Sequence, residues 1–337
     1  KGLPLNKVIK VGVLGAGAWG TTISLLLSKK NDVLLWANEK KVVQEINSKN
    51  KNSTFLPGVK LNKNIIASNN LNDFKEINYL FVVIPTQYIS ITLKKLKNKL
   101  KSKCVIINAS KGIEISSLSL INSVIKKHFP NNPISILSGP NFAKEIALGK
   151  PTASLIASQT MNESKKISQL LSSAYFRPYL SNDIVGAQIC GAMKNVYAIG
   201  CGIITGKKFG DNAVASIISR SFAEISLVCN KLGGKPETLM GLSGLGDLFL
   251  TCSSEKSRNF SLGLKIASGK KTSILLRSKK TVAEGAHTVK AIYRLSKKLK
   301  IDLPINNEIY KILYLNKDID KSISELLNRP LTTEKKL

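Results

Sequence analysis

The stretch VIKVGVLGAGAWGTTISLLL, residues 8–27, decides the fold. An apolar run interrupted only by Lys10 and Gly12 leads straight into GAGAWG at 15–20, and a helical apolar pattern continues to Leu27. The order is strand, glycine turn, helix. Gly15 permits the tight turn, Gly17 lets backbone approach a pyrophosphate, and Gly20 allows close packing, while the helix N-terminus offers unpaired N–H groups to an anion. A bare GxGxxG is a weak signal. Here a second apolar run, residues 32–37, follows at the distance a βαβ unit requires, and that context predicts dinucleotide binding.

Further β-branched runs recur at 64–68, 79–84, 103–109, 134–137 and 152–157, with helical periodicity between most of them. Such alternation predicts an α/β, Rossmann-like, doubly wound and largely parallel sheet. Ligands of these sheets bind beyond the carboxyl ends of the strands, which singles out Pro85-Thr86, Ser110-Lys111-Gly112 and Ser138-Gly139-Pro140. Lys111 is the cation of the set. After residue 183 the β-branched runs stop. The segments 184–204, 211–232, 289–299 and 308–315 are helical in period, so the expected domains are 1–183, which binds NAD(P), and 184–337, all-helical and bearing the substrate.

The 337 residues, 43% of them hydrophobic, suffice for about two domains with sizeable cores. A net charge of +30 raises nucleic acid as a partner. Against it, the charge is nearly all scattered lysine, whereas base edges are read chiefly by arginine. The expectation is a solvated basic surface that draws in small anionic metabolites, with no nucleic-acid partner. Five cysteines without CxxC spacing, and only two histidines, predict reduced thiols, a cytoplasmic setting and no metal site. His128, before Phe129-Pro130, fits a helix end, and no signal peptide is expected ahead of the first strand.

One lysine interrupts the small and apolar run 184–204, at Lys194 in GAMKNVYAIG. The run is long enough to cross a bilayer, but Gln188, Lys194 and Asn195 oppose stable membrane insertion. Gly186, Ala187, Gly191 and Ala192 let another element or a ligand come close. An ammonium so placed needs a partner, and the glycine-rich MGLSGLGDL at 240–248 delivers Asp247. Ser257-Arg258-Asn259 adds a hydroxyl, a guanidinium fork and an amide, a candidate grip for an anion.

Together these blocks resemble the NAD(P)-dependent glycerol-3-phosphate dehydrogenases of the bacterial type, along nearly the whole chain. The matching motifs are GAGAWGTT at Gly15, LPG at Leu56, ASKGIE at Ala109, SGPNFAKE at Ser138, GAMKNVYAIG at Gly191, GLGDLFLTC at Gly244, SRN at Ser257 and VAEG at Val282. The resemblance implies reversible reduction of dihydroxyacetone phosphate to sn-glycerol 3-phosphate, which supplies glycerophospholipid synthesis. It implies Lys194 as proton donor, with Asn195, Asp247 and Thr251 orienting it and the substrate. Lys111, Gly139, Asn141, Ser257, Arg258 and Asn259 would complete the grip on substrate. Besides the glycines, Ala18, Trp19, Asn38, Glu39, Phe55, Lys111, Ala143, Arg258, Val282 and Glu284 would line the cofactor.

Two departures stand out. Asn141 replaces the family's usual Ser or Thr, and Asn38-Glu39 follows the second strand where NADP users often carry a basic residue. A carboxylate there suits a ribose 2′-hydroxyl and repels a 2′-phosphate, which favours NAD over NADP, although Lys40 and Lys41 counter it. The expected partner is a small phosphorylated substrate, and a homodimer is compatible with the family. Two rival readings are another 2-keto or hydroxy compound dehydrogenase of this build and a basic Rossmann-type redox sensor on nucleic acid. SRN and GLGDLFLTC argue against the first.

Overall fold

The computed structural model describes residues 10–277, 283–331 and 333. They form two compact units. One runs to Ser110 and includes Asn122–Leu137 and Asn141–Asn182; the other comprises Lys111–Ile121, Ser138–Pro140 and the residues from Asp183 onward. A single cut after residue 183 therefore needs correction. Asp183 caps the helix that follows it, accepting from the N–H groups of Gly186 and Lys235 at 2.8 Å each, so it goes with that helix.

The first unit is built on eight strands: β1 (Val11–Leu14), β2 (Val33–Trp36), β3 (Ile65–Ser68), β4 (Tyr79–Val82), β5 (Val105–Asn108), β8 (Ile134–Ser138), β9 (Thr152–Ser158) and β10 (Phe176–Ser181). Their order is β10-β9-β8-β5-β4-β1-β2-β3, and β1 pairs in parallel with β2 and β4. β6 (Ile113–Glu114) and β7 (Ser119–Leu120) form a separate antiparallel hairpin in the second unit. Helices α1 (Ala18–Leu27), α2 (Lys40–Lys49), α3 (Ile89–Leu96), α4 (Ile121–His128), α5 (Ala143–Ala147) and α6 (Met161–Leu171) alternate with the strands. β1 is buried along its whole length, as a strand covered on both faces must be, which explains its unbroken hydrophobicity. Val8 and Ile9 of the expected first strand lie outside the described residues. β10 was not evident in the sequence because Arg177 and Pro178 break its pattern; as an end strand it tolerates both.

The second unit is helical apart from its hairpin: α7 (Ile184–Gly206), α8 (Asp211–Lys231), α9 (Pro236–Met240), α10 (Asp247–Cys252), α11 (Arg258–Ala267), α12 (Thr272–Arg277), α13 (Glu284–Leu299), α14 (Pro304–Leu315) and α15 (Ile319–Leu327). Its core is centred on α7, where Met193, Val196, Tyr197 and Ile199 are fully buried. α7 and α8 are both long and apolar enough to cross a membrane, but 89% of the apolar window of α7 is packed inside the unit, against 39% for α8. α11 lies against α7 at a glycine contact. A Cβ on Gly202 would strike the Phe260 carbonyl, and one on Gly263 would strike that of Ile199.

Candidate active site

In the helical unit the run of small residues along α7 carries Lys194 at 7% exposure, and its ammonium makes two hydrogen bonds to α10. Lys194 Nζ donates to Asp247 Oδ1 at 2.5 Å and to Thr251 Oγ1 at 2.8 Å. Thr251 Oγ1 in turn donates to the Asp247 carbonyl at 2.6 Å. Asp247 is fully buried at the first position of α10, directly after a π-helical turn, Leu242–Gly246, of the kind that re-aims side chains at functional sites. Its second oxygen accepts from Lys111 Nζ at 2.7 Å, and Lys111 also donates to the Gly139 carbonyl at 2.7 Å. Two ammonium groups thus share one carboxylate, leaving one positive charge uncompensated for an anionic ligand.

Burial pushes Lys111 down to about 8, with the Asp247 carboxylate pulling upward and the Lys194 charge pushing down. Proton loss from Lys111 is therefore brought closer to neutral pH.

A chain of amides supports the lysine from the other side. The Gly285 N–H donates to Asn259 Oδ1 at 2.9 Å, Asn259 Nδ2 donates to Asn195 Oδ1 at 2.9 Å, and Asn195 Nδ2 reaches the Gly191 carbonyl at 3.5 Å. The start of α13, at Glu284-Gly285, and the start of α11 are so tied to the turn of α7 that bears Lys194. Ser257 is the N-cap of α11 and accepts from the Phe260 N–H at 3.3 Å, so its hydroxyl serves the helix start. Arg258, at the first position of α11, is exposed and without a hydrogen-bond or ion-pair partner among the described residues, a guanidinium open to an incoming anion.

The parallel-sheet unit holds the other residues. Gly15 adopts φ +114°, which only glycine takes readily, and a Cβ on Gly20 would collide with the Gly15 carbonyl. Gly17 is the N-cap of α1 and faces open space; no side chain caps this helix, and its first turn bears no acidic residue. The free N–H groups of Ala18, Trp19 and Gly20 therefore point to a place where a pyrophosphate fits, and the buried Trp19 Nε1 lacks a partner among the described residues. Asn38 and Glu39 are exposed beyond β2, and Glu39 is the N-cap of α2 without using its side chain for the cap. Phe55 stands 37% exposed in the loop after α2, and the Ala143 carbonyl accepts from Thr22 Oγ1 of α1 at 3.1 Å. Asn141 belongs to this unit; its Oδ1 accepts from Ser154 Oγ at 2.5 Å, and its Nδ2 is buried without a partner among the described residues. Val282 lies outside the described residues.

Sequence reasoning missed Asn52, a fully buried amide beside the glycine turn, because nothing in its local pattern distinguishes it from a loop asparagine. It also left the link between Lys111 and Asp247 unstated, since 136 residues separate the two.

Comparison with known proteins shows the family. A model of the N-terminal region of NAD-dependent glycerol-3-phosphate dehydrogenase matches residues 10–164, and one of the C-terminal region matches residues 183–324. The chain belongs to the NAD-dependent glycerol-3-phosphate dehydrogenase family. It is 40% identical over 326 residues to the glycerol-3-phosphate dehydrogenase (NAD(P)+) of Parvibaculum lavamentivorans, covering 96% of this chain and 98% of that one. Identity to the enzyme of the same name from Erythrobacter litoralis is 42%, with the same coverage. The crystal structure of glycerol-3-phosphate dehydrogenase from Coxiella burnetii superimposes with a TM-score of 0.91 at 32% identity, over 95% of this chain and 99% of that one. As a glycerol-3-phosphate dehydrogenase, the chain is an oxidoreductase dependent on NAD or NADP.

Proposed function

We propose that Lys194 is the proton donor in the NAD(P)H-dependent reduction of dihydroxyacetone phosphate to sn-glycerol 3-phosphate, the reaction that provides the glycerol backbone for phospholipid synthesis. The observation that carries this reading is the buried ammonium clamped between Asp247 and Thr251. When bound, the reduced cofactor would supply the hydride that the ketone carbon accepts. Lys194 gives its proton to the alkoxide oxygen that develops there and takes it back in the reverse direction. Asp247 holds both lysines in place, and Asn195, fixed by Asn259, restricts the face that α7 presents to the substrate. Lys111 and Arg258 provide the charge that the phosphate requires, with Gly139, Asn141, Ser257 and Asn259 completing the grip.

The α1 N-terminus would hold the cofactor's pyrophosphate, and Glu39 would favour the ribose 2′-hydroxyl of NAD. Phe55, Ala143 and Glu284 would complete its lining. The five free, buried cysteines suit the reducing cytoplasm.

The test follows NADH and NADPH oxidation with dihydroxyacetone phosphate and with unphosphorylated dihydroxyacetone. The expected outcome is a kcat/KM at least 100-fold higher for the phosphorylated ketone, because its phosphate contributes binding energy at Lys111 and Arg258, and faster turnover with NADH. Equal rates with the two ketones would remove the phosphate grip, and preference for NADPH would remove the role given to Glu39.

A further inference from the structure

Beyond these assignments, we infer that Asn52 is a positioning residue for the dinucleotide, holding the loop that presents Phe55 against the glycine turn. The inference rests on the reading of Phe55 as a cofactor contact.

Asn52 is fully buried, and each polar group of its amide is used. Nδ2 donates to the Ala16 carbonyl and to Thr21 Oγ1, both at 2.8 Å, so its two hydrogens end on the turn and first helix that form the anion site. Oδ1 accepts the Phe55 N–H at 3.3 Å, and the Asn52 carbonyl accepts the Leu56 N–H at 2.9 Å. One side chain therefore grips the turn with its donors and the Phe55 loop with its acceptor. A carboxylate could accept Phe55 but would repel the Ala16 carbonyl.

The base of the loop is closed by other groups. Glu45 Oε2 accepts the Ser53 N–H at 3.0 Å, Leu61 N–H donates to the Asn50 carbonyl at 2.8 Å, and the backbones of Lys51 and Lys60 form an isolated antiparallel bridge. These contacts keep the loop folded on itself without joining it to the glycine turn. Among the described residues of 50–60, Asn52 makes that connection. Leu56 is buried, whereas Phe55 stands 37% exposed, which leaves part of its ring open to a partner. Held by Asn52, the ring is pre-placed for an aromatic group of the dinucleotide instead of being ordered at the moment of binding, which lowers the entropic cost of binding.

The experiment measures NADH affinity by calorimetry, together with KM for NADH, KM for dihydroxyacetone phosphate and kcat, for the full chain and for Asn52→Ala, Asn52→Asp, Phe55→Ala and Asn52→Ala/Phe55→Ala. Expected are a tenfold or greater rise in Kd and KM for NADH in Asn52→Ala and Asn52→Asp, with KM for dihydroxyacetone phosphate and kcat at saturating NADH within about twofold of the parent. The double variant should bind NADH about as weakly as the weaker single one, because both substitutions abolish one contact. Should Asn52→Ala fail to fold, Thr21→Val removes one of the two acceptors and leaves Phe55 untouched; a two- to fivefold weaker NADH affinity is expected. Unchanged NADH affinity in the Asn52 variants beside a weakened Phe55→Ala overturns the inference alone. Unchanged affinity in Phe55→Ala overturns the cofactor reading of the loop, and the inference with it. Additive losses in the double variant, or a parallel rise of both KM values with falling kcat, assign Asn52 to general folding and reject the positioning role.

Discussion

At the scale of single residues, one buried carboxylate serves two lysines. Replacing Lys194 by Met keeps most of the side-chain volume and the helix but deletes the acid. Turnover is expected to fall on the order of 100- to 10,000-fold while the melting temperature stays the same or rises, because removing a buried charge offsets the orphaning of Asp247, which retains Lys111. Activity per folded molecule within a few-fold of the parent would return Lys194 to a structural role. Lys111 makes a separate prediction. Its pKa is lowered from 10.5 to about 8, so it carries its charge below that pH and loses it above. KM for dihydroxyacetone phosphate should therefore rise several-fold between pH 7 and 9, and Lys111→Gln should show a high KM that is flat across the same range. A parent KM that does not change with pH would mean that Lys111 keeps its proton throughout. Lys194 was legible in the sequence because a charge inside an apolar helix is costly and visible. Asn52 was not, since its burial depends on a turn that is distant in sequence and its residue type is ordinary in loops.

At the scale of elements, helix starts do much of the positioning, and one is held by a buried acid from another helix. Glu224 of α8 accepts the N–H groups of Ile305 and Asn306, at 2.6 and 3.2 Å, in the first turn of α14, and the Tyr197 hydroxyl at 2.9 Å. Burial nevertheless raises it from 4.5 to about 7, with these hydrogen bonds opposing the shift and Asp302 adding to it. Because the folded value lies above the unfolded one, its contribution is fully present below about pH 4.5 and is lost as pH rises through 7, a difference on the order of 3 kcal/mol. Glu224→Gln should remove much of this decline. Denaturant midpoints at pH 5 and 8 should lie closer together in the variant, and equal spacing in both proteins would show that Glu224 ionises freely. The strands near the glycine turn could be read from sequence because burial on both faces makes them uniformly apolar. β10 escaped because an end strand is free to carry Arg177 and Pro178, and the small residues of α7 foretold a close neighbour without naming Gly263 as its point of approach.

At the scale of the whole molecule, a net charge of +30 is held mainly by scattered lysines, and exposed pairs such as Lys207 with Asp320 contribute little to stability. The charge acts instead as a field that gathers anions. kcat/KM for dihydroxyacetone phosphate should drop several-fold between about 20 and 300 mM NaCl while kcat stays constant. A kcat/KM that is indifferent to salt would leave the lysines as solvated surface alone. The two-part organisation could be seen in the change from β-branched runs to helical periods. The allegiance of Lys111–Ile121 and Ser138–Pro140 to the helical unit could not, because hydropathy records whether a residue is buried and not what buries it. That allegiance bears on how such enzymes can be recombined. A single crossover at the junction before Asp183 would bring α10 from one parent and the lysine that faces its carboxylate from the other. Hybrids within this family should stay active only when both parents agree on the spacing between those two groups, or when the short segments around Lys111 and Gly139 travel with the C-terminal gene fragment.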